Sequence, residues 1–200
     1  MTIERSPEHS LRRAYGYPYP APSHDYLFAD GRVEALSADP DLGSRQPVIA
    51  VGSNRAPEQL ARKFGDMGES TIPVTWAWMH GYDVVYCAHL AGYGSVPANL
   101  GDGRPAMRAG CYITKCGALA LDGAPVALAE IEAKGRQFKS LPQAAKIALL
   151  HSLFGDHPEE AAWVLSLLGE ENGPRRAHLT ERLSEKTVPF DDPRFRVILG

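Results

Sequence analysis

The clearest change of pattern along the chain falls at Pro47-Val48-Ile49-Ala50-Val51-Gly52-Ser53-Asn54, where an apolar run ends abruptly in small and polar residues. A short continuous apolar stretch bounded in this way predicts a buried strand that delivers a loop to one end of a sheet. From Asn54 the period becomes helical. Pro57 suits a first turn, Leu60 and Phe64 stand four apart, and Gly65 ends the segment, so residues 55–64 predict a short amphipathic helix. Thr71 to Trp78 and Tyr82 to Leu90 are rich in Val, Thr, Trp and Tyr, and predict two strands joined tightly at His80-Gly81. A glycine-rich loop over 91–103 follows, then a strand from Ala109 to Leu121, a turn at Asp122-Gly123 and a helix over 124–134.

The last third reads as helical. Pro142 to Leu153, Pro158 to Leu168 and Pro174 to Glu185 each begin with a helix-compatible proline. Ile147 with Leu150, Trp163 and Val164 with Leu167, and Leu179 with Leu183 recur at three to four residues, which predicts a layer of helices over a core and makes Trp163 a packing residue. Phe190 to Leu199 suits either an added edge strand or docking on a second copy as a homodimer. Residues 1–45, with Tyr15, Tyr17, Pro18, Tyr19, Pro20 and Pro22, predict an irregular arm held to the core by its aromatics.

These elements predict a mixed α+β architecture. A small, strongly curved or barrel-like sheet comes from residues 47–121, covered by the helices of 55–64 and 124–134 and by a C-terminal helical layer. The organisation is an arm (1–45), an α+β core (46–135) and a helical extension (136–200) in one globular domain.

Composition narrows the function classes. With 200 residues, 44% hydrophobic and 22% charged, the chain is long enough for a real core without a disulfide scaffold. A formal charge of −3 gives no basic footprint for nucleic acid, despite the local Arg12-Arg13 and Arg175-Arg176 pairs. Cys87, Cys111 and Cys116 are odd in number and set among apolar residues, as expected of reduced thiols in a cytoplasmic protein. No stretch reads as a signal peptide or membrane span, so no membrane partner is expected. Cys87 and His89 share one strand face, but no Cys-x-x-Cys pair accompanies them and no metal is expected. His80, His89 and His151 are scattered, and no Gly-x-Ser-x-Gly elbow is present for serine catalysis.

Candidate chemistry centres on two loops and one carboxylate. Gly52 permits close approach, Ser53 offers a hydroxyl and Asn54 tolerates capping geometry, so backbone N–H groups at Val51 to Asn54 can converge on a carboxylate. Tyr93, Gly94 and Ser95 form either a second wall for a small ligand or a plain loop with a capping aromatic. Asn99 is placed to pin that loop, while Tyr82 and Tyr86 read as strand packing. On a helix over 124–134, Glu132 falls beside Leu128 on the apolar stripe and Glu130 on the opposite, solvated face. An inward Glu132 is either poised for proton transfer or bonded to Arg136 four residues on.

The order Val51-Gly52-Ser53-Asn54, Gly81-Tyr82-Asp83-Val84-Val85-Tyr86, Pro97-Ala98-Asn99-Leu100 and Leu128-Ala129-Glu130-Ile131-Glu132-Ala133 resembles the γ-glutamyl cyclotransferase family over roughly residues 47–135. Val51 stands where that family has tyrosine, and Ala129 and Ala133 replace the aspartate and glycine of its Leu-Asp-x-x-Glu-Gly helix. A register three residues later would instead put Glu132 on the aspartate position and Gly135 on the catalytic one. The resemblance implies a cofactor-free intramolecular aminolysis: the α-amine of a γ-glutamyl compound attacks its own γ-carbonyl, closing 5-oxoproline and releasing an amine. Glu132 would then serve as general base and afterwards as general acid, with residues 51–54 and 93–95 holding the folded substrate. The alternative on the same scaffold is a non-catalytic ligand-binding or interaction protein whose pocket mouth is occupied by the arm or the added helices.

Overall fold

The computed structural model describes residues 6–38, 40, 42, 43, 45, 47–65, 71–108 and 118–188, and of 99–108, 184 and 188 the backbone alone. Cys111, Cys116, the strand predicted across 109–117, the tail 190–199 and the Asn99 side chain lie outside that description.

The N-terminal 45 residues hold regular structure where an irregular arm was expected. Helix α1 (Pro7–Tyr15) starts at Pro7, and the Ser6 hydroxyl accepts from the His9 N–H at 3.3 Å. Strands β1 (Tyr26–Ala29) and β2 (Arg32–Ala35) then form a hairpin whose two central residues, Asp30 and Gly31, have φ of 47° and 75°. An Asp-Gly pair with both φ positive is the turn that best matches the twist of a two-residue hairpin.

The predicted strand at 47–51 is absent. Val48 and Ile49 are 72% and 40% exposed, and only Val51 enters the core. An apolar run becomes a strand only where a neighbour accepts its backbone bonds, and here the hairpin takes a different partner. A 3₁₀ turn (Ser53–Arg55) leads into α2 (Pro57–Phe64), within the predicted limits. Strand β3 (Thr71–Val74) pairs antiparallel with β1, giving the order β2-β1-β3.

Strand β4 (Trp78–Tyr86) runs through His80-Gly81, which was expected to be a tight connection. Gly81, at φ 87°, is a bulge that shifts register between His80 and Tyr82, so β4 stays one strand and pairs with β5 (Ala98–Arg108). The loop expected over 91–103 therefore ends at Pro97.

The helix expected over 124–134 is also absent. Asp122 and Gly123, both at positive φ, close a hairpin between β6 (Ala118–Leu121) and β7 (Ala124–Pro125). Val126, Ala127 and Leu128 are all fully buried, a continuous run that suits a central strand and not a helical stripe. Short strands β8 (Ala127–Leu128), β9 (Ala133–Lys134) and β10 (Ser140–Leu141) complete a sheet of order β10-β8-β4-β5-β9.

Helices α3 (Gln143–Phe154), α4 (Glu160–Leu165) and α5 (Gly173–Ser184) form the expected layer, and β11 (Thr187–Val188) returns to β6. The fold is mixed α+β with no closed barrel among the described residues. One core joins Tyr86, Leu128, Ile147, Leu150, Trp163 and Leu183, so Trp163 does pack at 2% exposure. A smaller cluster of Tyr26, Phe28 and Leu60 seats α2 on the hairpin sheet.

Candidate functional site

The Gly-Ser-Asn segment is built as a turn and is already occupied from within the chain. Val51, Gly52 and Ser53 are buried, and Asn54 is half-buried with its Oδ1 accepting from Lys63 Nζ at 2.8 Å. A Cβ at position 52 would run into the Tyr17 hydroxyl, so glycine is required for this close approach. That hydroxyl also accepts from the Ala98 N–H at 2.7 Å. Tyr17, from the segment after α1, therefore plugs the space over Gly52 that the sequence left for a ligand.

Tyr93 and Ser95 face the same N-terminal segment. Tyr93 is half-buried beneath the Arg13 guanidinium, whose Cζ is 5.2 Å from the ring centre. Ser95 is fully buried, whereas Gly94, at φ 85°, turns its backbone against Ala14, Val164 and Leu168 and belongs to the packing. Burial pushes the Tyr17, Tyr19 and Tyr93 hydroxyls up from their ordinary value; Arg13 and Arg62 pull Tyr19 partly back, and a hydrogen bond with Ser95, with Arg62 and Arg13 behind it, does the same for Tyr93.

Glu132 lies elsewhere. It sits on a turn, exposed, and lines an open pocket of about 230 Å³ together with Ala21, Ser23, Arg55, Trp76, Glu130 and Ile131. The helical argument for its inward direction lapses with the helix. What directs it is a clamp: Arg136 makes two bonds to the fully buried Asp83, at 2.8 and 2.9 Å, and a third to the Ile131 carbonyl at 2.8 Å. A bidentate arginine on a carboxylate fixes orientation as well as position. Arg136 is thereby committed to Asp83, in place of the expected bond to Glu132.

The other pocket walls are held as firmly. The Trp76 indole N–H donates to the Pro22 and His24 carbonyls at 3.2 and 3.1 Å, and the Trp76 backbone N–H donates to Asp25 at 2.8 Å. Arg55 stacks on Trp76 with Cζ 4.9 Å from the ring centre, and its own carbonyl accepts from the Tyr26 hydroxyl at 2.5 Å. Glu130, read from the sequence as a solvated charge, accepts from the Gln143 N–H at 2.7 Å and so places its charge at the positive end of α3.

The site thus gathers one guanidinium, two carboxylates and an indole face, one residue beyond the Gly-Ser-Asn turn. A zwitterion matches that set, its carboxylate toward Arg55 and its ammonium toward Glu130 and Glu132. Gly52, Ser53 and Asn54 do not line the pocket, nor do Tyr93 and Ser95. Arg55 and Trp76 were not singled out from the sequence, Asp83 was read only as part of the Gly81–Tyr86 stretch, and Arg136 only as a partner for Glu132. Asp83 in the middle of a strand otherwise rich in apolar residues was the available signal, because a carboxylate there must find a cation.

Among the described residues, no three His, Cys, Asp or Glu side chains gather to hold a metal ion, and no helix is long and apolar enough to cross a membrane. Comparisons of the chain with protein-family models, curated proteins and solved structures gave no match.

Proposed function

We propose that the pocket takes a small γ-glutamyl or other amino-acid-like zwitterion and that the chain acts on it as a γ-glutamyl cyclotransferase-like enzyme. The observation that carries this reading is the convergence of Glu132 and Arg55 on one pocket floored by Trp76. Arg55 holds the α-carboxylate and the indole covers the aliphatic stem. Glu132 takes a proton from the α-ammonium. The freed amine forms a C–N bond to the γ-carbonyl carbon and gives up a second proton as that bond forms, the bond to the departing nitrogen breaks, and the two protons pass through Glu132 to that nitrogen, which leaves as an ammonium. Holding the chain folded supplies much of the acceleration, since ring closure needs the two ends together.

A second reading has its own support. The Tyr17 hydroxyl seated on Gly52 occupies the loop that would cradle a substrate, as expected of a non-catalytic ligand-binding or interaction protein on this scaffold. Incubation with a panel of γ-glutamyl amines and peptides, read as 5-oxoproline released, separates the two. The enzyme reading expects turnover of at least one compound. Calorimetric binding of a panel member with no turnover of any would replace it with the second.

A further inference from the structure

Strand β2 is the outer strand of the β2-β1-β3 sheet, and among the described residues nothing pairs with its free edge. All of its residues are exposed, Val33 at 44%. The register of the hairpin fixes what that edge offers. Ala29 and Arg32 flank the two-residue turn and form a hydrogen-bonded pair, so the next pair along, Phe28 with Val33, is a non-bonded one. Phe28 turns its N–H and carbonyl toward Ile72 of β3, whereas Val33 turns its own out of the sheet. The Val33 side chain shares the face of Phe28, which packs against Leu60 of α2, while Arg32 and Glu34 point to the opposite face. Among the described residues neither Arg32 nor Glu34 forms an ion pair.

A free edge of this kind can take an added strand, and charged side chains on it ordinarily oppose that. Here the order of the charges selects the partner. Two copies of β2 laid antiparallel bond through their outward groups only in registers that set Val33 opposite Gly31, Val33 or Ala35 of the other copy. Gly31 opposite brings Arg32 against Arg32, and Ala35 opposite brings Glu34 against Glu34. With Val33 opposite Val33, each Arg32 faces the second copy's Glu34, and a β-branched pair meets on the other face. We propose that β2 is a self-association edge: two copies of the chain pair β2 to β2, antiparallel about Val33, joining their three-stranded sheets into one with an Arg32–Glu34 pair on either side of the two-fold axis. The edge shares no residue with the Glu132 pocket, so either assignment can fail without the other.

The test is sedimentation equilibrium of the full chain from about 1 μM to about 1 mM, the range in which a small contact saturates. Wild type is expected to pass from monomer to dimer. Arg32→Glu and Glu34→Arg each set like charges opposite one another on both sides of the axis, and each should weaken the dimer about tenfold or more. An equal mixture of the two variants, whose strands are again complementary, should associate about as tightly as wild type. Val33→Pro removes an N–H that the hairpin does not use and should leave a monomer. A chain that stays monomeric throughout overturns the proposal, and so does a dimer that Val33→Pro and both charge reversals leave intact, since that dimer forms through another face.

Discussion

Lys146 offers a quantitative prediction that needs no ligand. It is fully buried on α3, its ammonium has no hydrogen-bond partner among the described residues, and it stands over the Tyr86 ring with the ring centre 5.6 Å away. Burial lowers its pKa from 10.5 to about 8. The unfolded chain thus keeps this proton up to about pH 10.5 and the folded chain only to about pH 8, so stability rises with pH across that window. At pH 7 the shift corresponds to about 3 kcal/mol of destabilisation. Lys146→Met keeps the volume and removes the charge, at the loss of a cation–π contact of about 0.5–2 kcal/mol that is already contained in the net effect. The variant should be about 1–3 kcal/mol more stable than wild type at pH 7. That advantage should shrink steadily between pH 8 and 10. Urea unfolding of both proteins across pH 6.5–10 measures the difference, in which all other titrations cancel. A variant less stable at pH 7 by a pH-independent amount would refute the reasoning, since it would mean the ammonium is paired and favourable.

Other predictions follow from single contacts. Arg136→Ala strands the buried Asp83 carboxylate and should cost about 3–5 kcal/mol in urea unfolding, the range for breaking one side of a buried pair. Gly52→Ala forces Tyr17 from its seat and should cost about 1–3 kcal/mol. Adding Tyr17→Phe to Gly52→Ala should recover part of that loss in a double-mutant cycle, and strict additivity would show that the two residues do not touch. Trp76→Ala removes the indole bonds to Pro22 and His24, so limited proteolysis should cut the chain near residues 20–25 faster than in wild type, while equal rates would show that the indole does not anchor this segment.

Helices α2 to α5 were legible because their signals are local: Pro57 at a first turn, Gly65 and Gly155 after the last, and apolar residues at three to four positions between them. Strand partners were not, because pairing is decided by distant segments. Thr71–Val74 joins Tyr26–Ala29 and not its sequence neighbour. Nothing local distinguishes Val126-Ala127-Leu128 as a buried strand from one face of a helix, and the flanking Asp122-Gly123 hairpin turn and Gly135 at φ 69° were the better guide. Glu132 was reached by a helical argument that does not hold, yet it lines a pocket because Ile131 is buried and Arg136 clamps the turn between them.

Whether Glu132 moves the proton in a pocket that binds a γ-glutamyl zwitterion is decided by comparing 5-oxoproline formation in wild type and Glu132→Gln. The compound used is whichever one wild type turns over fastest, with its binding measured in parallel. The rate in the variant should be lower by about 10²–10⁴, with affinity little changed. Equal rates in the two proteins would contradict it, as would the absence of 5-oxoproline from every compound.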